Sequence, residues 1–291
     1  MNSSLQTIML EPHTWHGQLH LTYSNRQGMT LPSTSYACAP LKLQRPFYPE
    51  GPEVCHTVIL HTAGGMVGGD RLSLHLTLQP HTHALITTAA AAKIYRSSLE
   101  SSQTIQITLA DHACLEWLPQ ETIVFNDAIH RQHLRVELAP TSIWMGWEMT
   151  RLGRSARGEQ FVQGHWRSRT EIWRAGHPLW IDPQWIEGCE TVFRSPHGLA
   201  NQPVIASLAI VGQAISRDLV TQARQLWEHP SPRGEIGVTR LQAGLLCRYR
   251  GASTIEARRW FMAVWNLLRL TLLNRSAHPP RIWPDALPPI P

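Results

Sequence analysis

Residues 72–78 read LSLHLTL, with Leu72, Leu74, Leu76 and Leu78 at every second position. Such alternation marks a strand with one apolar and one polar face. It returns as IQITL at 105–109 and as LRVEL at 134–138. Each strand ends in a similar turn, LQPH (78–81), LADH (109–112) and LAPT (138–141). Each turn leads to a second apolar segment: HALITT (83–88), CLEWLP (114–119) and SIWMGWE (142–148). Leu78, Leu109 and Leu138 are separated by 31 and 29 residues. Because the whole strand–turn–strand unit recurs, stacked β-layers of solenoid type are favoured over a meander in a sandwich.

Stacking has a corollary. Equivalent third segments, AAKIYRS (91–97), QETIVFND (120–127) and EMTRLGR (148–154), are expected to run side by side. They bring Lys93, Arg96, Glu121, Asp127, Glu148 and Arg151 to one seam, which is either a binding groove or a solvated edge. Strand character continues through 165–182, and the chain then changes. AISRDLVTQARQLWEH (214–229) has helical spacing. In TIEARRWFMAVWNLLRLTLLNR (254–275), Trp260, Phe261, Val264, Trp265, Leu268 and Leu272 line one face, with Arg258, Arg259 and Arg269 elsewhere. Thr254 is the expected cap, Glu256 follows in the first turn, and HPPRIW (278–283) ends the helix. The expected fold is mainly β over 1–212 and 230–252, β-helix-like, with two C-terminal helices. No linker or low-complexity stretch divides residues 1–291.

Composition narrows the function classes. The net charge is +5, and 24 of the 26 basic residues are Arg, with only Lys42 and Lys93 besides. Arg suits bidentate pairing with carboxylates, so acidic protein surfaces are as natural a partner as nucleic acid. The basic residues form no run of five, which argues against a nucleic-acid tail. Five scattered Cys without a CxxC argue against disulfides and a structural zinc site. The N-terminus lacks the features of a signal peptide, and the apolar stretch 203–215 is too short to span a bilayer. A cytoplasmic protein is expected. The twelve Trp fit protein interfaces as well as a core.

Residues 61–72 read HTAGGMVGGDRL. A phosphate loop needs GxxxxGK[ST]; after Gly64 and Gly69 come Asp70 and Arg71, so the Lys and the hydroxyl are both missing. A dinucleotide fingerprint opens a helix, whereas here a strand follows. The loop instead permits two tight turns that aim Asp70 at the strand mouth.

These residues carry a family resemblance. HTAGGMVGGDRL resembles the HPPGGxxGGD motif of the urease accessory protein D family (UreD, or UreH), with Gly64, Gly65, Gly68 and Gly69 at the motif positions. QRPFYPE (44–50) with CHTVILH (55–61) resembles the family's N-terminal segment. HALITTAAAAKIYRS (83–97), with Lys93, Tyr95 and Arg96, is similar to TTPGATKFYRS. LEWLPQETIVFNDA (115–128), GWEMTRLGRSARGEQF (146–161) and the closing helix with PRIW complete the ordered set. Departures are Thr62-Ala63 for two prolines, Ala89-Ala90 for Pro-Gly, Asn126-Asp127 for Asp-Gly and PRIWPDA for PRIWNT. The first two should alter turn stiffness and not chemistry, and the third shifts a carboxylate by one position.

The resemblance implies a single UreD-type domain and a maturation scaffold without catalysis of its own. It also implies binding to accessory protein F, through it to the accessory GTPase G, and to apo-urease, with nickel passing through an internal tunnel. No tightly bound cofactor, nucleic acid or membrane is expected. Transient nickel would suit spaced carboxylates, and Asp70, Glu121 and Glu148 are the candidates to line or flank its path. The alternative is that Asp70 caps the glycine turn while Glu121 and Glu148 pair with Arg96, Arg151 or Arg154. Cys55 and His61 share a strand face but lie roughly 20 Å apart, with His56 facing away, so core or surface roles are expected. The close pairs His16 with His20 and His81 with His83 lack a third ligand nearby in sequence. The rival class is a carbohydrate-active enzyme on a β-stack, with Glu116 and Glu121 as the acid–base pair.

Overall fold

The computed structural model sets Leu78 beside Leu109, and Leu109 beside Leu138, in parallel register. The structure describes residues 14–154, 157–227 and 234–283. Residues 1–13, read above for a targeting segment, and 228–229, the expected end of the first helix, lie outside the described residues.

In chain order the strands are β1 (His16–Arg26), β2 (Met29–Cys38), β3 (Leu41–Leu43), β4 (Val54–His61), β5 (Arg71–Leu78) and β6 (His83–Thr88). They continue as β7 (Ala92–Ile94), β8 (Ser101–Leu109), β9 (Cys114–Trp117), β10 (Thr122–Val124), β11 (Ala128–Leu138) and β12 (Ile143–Leu152). The last are β13 (Gly164–Arg174), β14 (His177–Glu187), β15 (Val204–Val211), β16 (Glu235–Leu241) and β17 (Gly244–Gly251). Three helices, α1 (Glu190–Arg194), α2 (Arg217–Gln225) and α3 (Thr254–Leu273), complete the described residues.

The fold is mostly β, in two mixed sheets. One is ordered β14-β13-β11-β8-β5-β1-β2, and its five inner strands are parallel. The other is ordered β16-β17-β15-β12-β9-β6-β4-β3, with β10 and β7 branching from β12. Neither closes into a barrel. Consecutive strands β5 and β6, β8 and β9, and β11 and β12 lie in different sheets, and their neighbours within a sheet come from the next repeat. A meander would instead pair consecutive strands antiparallel. The third segments do run side by side: Ile94 pairs with Val124, Val124 pairs with Leu152, and Met66 bridges to Ile94.

Burial explains two sequence textures. The first sheet packs one face on the second and leaves the other to solvent, so β5 alternates. Its inward ladder of Leu74, Leu76, Leu78, Ile105, Ile107, Leu109 and Val136 belongs to one core with Leu115, Trp117 and Trp144. The second sheet is covered on both faces, and β4 and β9 are continuous buried runs. Its far face holds a second core, where Met145, Trp147 and Leu208 meet Phe261, Trp265 and Leu268 of α3. Each fully buried Leu in these cores contributes about 1.5–3 kcal/mol over an exposed one.

Three expectations need correction. The first expected helix is shorter: α2 spans Arg217–Gln225, with Ser216 as its cap. A further short helix, α1, had no periodic signal. Ser253, not Thr254, caps α3 by accepting a hydrogen bond from the Glu256 amide. Arg258 and Arg269, off the apolar stripe read from the sequence, are nevertheless buried. Among the described residues, no helix is long and apolar enough to cross a membrane.

Candidate functional site

The glycine loop folds against the chain that links β7 to β8. A side chain at Gly65 would strike the Tyr95 ring and the Lys93 carbonyl, and one at Gly68 would strike Ser97 and the Leu99 carbonyl. These positions therefore exclude any larger residue. Asp70 is buried beneath the loop. Its Oδ2 accepts from the Val67 amide at 2.8 Å, and its Oδ1 from the Trp15 amide at 3.0 Å. Both oxygens thus satisfy backbone donors that the turn leaves orphaned. The Asp70→Ala variant is expected to lose about 2 kcal/mol, with Asp70→Asn losing less because one acceptor survives. The urea midpoint measures both, and an unchanged midpoint for Asp70→Ala refutes the capping role.

Around this loop Lys93, Tyr95 and Arg96 are exposed, and Tyr95 packs edge-on against Phe125. Thr62, in place of a proline, donates its amide and its hydroxyl to the Pro40 carbonyl. Asn126 accepts from the amides of Val162 and Gln163, and Asp127 takes a left-handed conformation. Asn126 thus caps the backbone at this turn, and the shifted carboxylate of Asp127 takes no part in it.

Asp70, Glu121 and Glu148 are placed in three different settings. Glu121 pairs with Arg258 of α3 at 2.7 Å, and the charge of Arg151 also acts on it. Arg154 instead grips Glu159, and Arg151 donates to the Ala252 carbonyl. Glu148, on β12, accepts from Ser168 at 2.8 Å. It lines an internal cavity of about 80 Å³ between the sheets, together with Gln103, Gln132, Gln120 and Asp182. Burial, with the nearby Asp182 carboxylate, pushes the Glu148 carboxyl up to about 7 against the Ser168 hydrogen bond. Asp182 is held by Arg248 at 2.5 Å, and Arg248 also donates to Ser207 at 2.8 Å. Ser207 lines both the cavity and a surface hollow that includes Arg248. A carboxyl half-ionised near neutrality can take up and release a proton or a cation. Among the described residues, no three His, Cys, Asp or Glu groups converge into a metal cage.

A second charged cluster escaped sequence reasoning. Arg269, fully buried in α3, reaches Glu50 at 2.6 Å and lies 3.5 Å from Glu116. Glu116 also binds His83 at 2.6 Å and the Trp265 indole, while Glu50 binds His56 at 2.7 Å. Burial opposes both carboxylate charges, yet His56 and Arg269 hold Glu50 down to about 2. For Glu116, His83 and Arg269 likewise outweigh burial and keep it below its usual range. Burial also opposes a charged His83, but Cys114 and Glu116 drive it up to about 10. Two carboxylates thus face Arg269 and a cationic His83. The only hint in the sequence was a carboxylate, Glu116, inside an apolar strand. Glu116 is sealed from solvent and paired, so the Glu116–Glu121 acid–base pair cannot meet a glycan.

Cys55 and His56 are buried in β4, and burial lowers the pKa of His61. The sequence-adjacent His pairs separate: His16 bonds Ser73, His20 stacks on His75, His81 stacks on His112, and His83 takes Glu116. The ring pairs come from neighbouring strands and equivalent turns, as a thirty-residue period demands.

A family profile described as UreD urease accessory protein matches residues 16–284. A relative from Nostoc punctiforme named urease accessory protein UreD is 61% identical over 270 residues, covering 92% of this chain and 96% of its own. One of the same name from Acaryochloris marina is 59% identical over 272 residues, covering 93% and 96%. Another from Pseudomonas fluorescens is 40% identical over 283 residues, covering 97% and 99%.

Proposed function

This chain belongs to the UreD family of urease accessory proteins, and we propose that its part in urease maturation is that of a non-catalytic scaffold. As a single β-helix-like domain in the cytoplasm, it binds accessory protein F, through it the GTPase accessory protein G, and apo-urease. Nickel is the cargo of that assembly and reaches the urease active site through the interior of this protein.

The observation that carries the reading is the cavity between the sheets, with Glu148 at its wall and Ser207 lining both it and a surface hollow. Nickel accepts carboxylate and water ligands, and a conduit must release what it binds. One partly buried carboxylate with an adjustable charge meets that requirement better than a closed cage. Asp70 and Glu121 then flank the path, one holding the glycine turn and the other tying the seam to α3.

The test is co-expression of urease with its accessory proteins, with and without this chain. Omission is expected to abolish both nickel content and urease activity, and the wild-type chain to restore them. Full activation without the chain overturns the reading.

A further inference from the structure

The solvent face of the first sheet carries an arrangement that folding alone does not favour. In-register pairing sets Arg71, Ser102, Arg131, Arg167 and Trp185 in one row across β5, β8, β11, β13 and β14. The next row on the same face holds Thr104, His133, Arg169 and Pro183. Adjacent strands lie about 4.8 Å apart, so Arg131 and Arg167 are direct neighbours of like charge, which destabilises a sheet. Between these rows runs a groove of about 700 Å³.

Its counter-charges are few. Glu100 meets Arg131 at 2.9 Å, but both groups are well exposed and such a pair contributes little. Glu171 is committed to Arg169, Arg135 and the Trp173 indole. Arg167 has no ion pair among those recorded for the described residues; its guanidinium lies 4.7 Å above the Trp185 ring. Stacking leaves the edge of a guanidinium free to fork a carboxylate. Trp185 is 60% exposed, the highest value among the large apolar side chains described. Exposed Trp next to Arg is the composition of an interface anchor.

We propose that this groove docks an acidic segment of a protein partner, its carboxylates taken by Arg131 and Arg167 and a neighbouring apolar side chain seated on Trp185 and Pro183. The proposal rests on the scaffold reading above. A bound carboxylate relieves the Arg131–Arg167 repulsion, so the placement that costs stability in the free protein becomes favourable in the complex. Glu100 and Glu171, paired with Arg131 and Arg169 of the groove, add negative charge beside it that would repel the continuous phosphates of a nucleic acid.

The experiment measures binding of the full chain to purified accessory proteins and to apo-urease, each as a separate probe, at low and raised salt. Arg131→Ala with Arg167→Ala is expected to weaken one of these complexes about tenfold or more and to flatten its salt dependence. Trp185→Ala is expected to weaken the same complex, and thermal unfolding of these variants should match or exceed that of wild type. Unchanged affinity for every probe overturns the proposal. So does loss of binding to a single-stranded oligonucleotide with protein affinities intact. If omission of the chain abolishes activation while the groove variants bind normally, the groove assignment alone fails. Activation without the chain would instead remove the scaffold reading.

Discussion

Arg269→Ala is expected to lower the stability of the protein by about 3–5 kcal/mol, because it leaves buried carboxylates without their shared cation. Glu116 and Glu50 come from the two sides of that guanidinium, one on β9 and one in the loop before β4. Deletion of the Arg also removes the ion pairs that tie α3 to β9 and to the loop before β4. In a chain of this size the melting temperature should fall by on the order of 10 °C. Should the single variant fail to accumulate, Arg269→Met combined with Glu50→Gln and Glu116→Gln tests the same cause. Neutralising all three groups together should recover part of the loss, since the penalty lies in unpaired charge and not in volume. A melting temperature for Arg269→Ala within a degree or two of wild type would contradict this account.

The same cluster gives stability a pH profile. Glu50 is held at about 2 in the folded protein against an ordinary 4.5, so its contribution is present above 4.5 and is lost as pH falls towards 2. His83 is raised to about 10 from 6.5, so its contribution is present below 6.5 and is lost as pH rises towards 10. The cluster therefore stabilises most between about 4.5 and 6.5. His83→Gln should remove the alkaline slope, measured by urea unfolding across pH.

Glu148→Gln is expected to move stability and function in opposite directions. The folded carboxyl titrates at about 7 rather than 4.5, so its favourable contribution is full below 4.5 and is lost as pH rises through 7. At pH 8 the neutral Gln should exceed wild type by about 2–3 kcal/mol, and below 4.5 the two should coincide. The amide still accepts from Ser168, so the local hydrogen bond survives the change. In the co-expression assay the same variant should lower the nickel content of urease, because on the path proposed above the carboxylate is what a passing cation would meet. A residue kept only for structure would raise or lower both readouts together. Higher stability with undiminished nickel loading would remove Glu148 from the path.

Local pattern determined much of this protein. The alternation of 72–78 and its return at 105–109 and 134–138 record a sheet with one wet face, and the offsets of 31 and 29 are the register of its parallel ladder. The apolar runs of β4 and β9 record a sheet covered on both sides. The motif order carried the family. These signals survive in one dimension because period, alternation and spacing are properties of neighbouring residues. The charges behaved otherwise. Asp70 finds its donors at Trp15 and Val67, Glu121 finds Arg258, and Arg269 finds Glu50 from 219 positions away. The row of Arg71, Arg131 and Arg167 exists only once β5, β8, β11 and β13 pair side by side. A carboxylate in a strand reads the same whether it caps a turn, lines a cavity or neutralises a helix. What decides among these is the partner that the packing of distant segments delivers, and that is set by the tertiary structure alone.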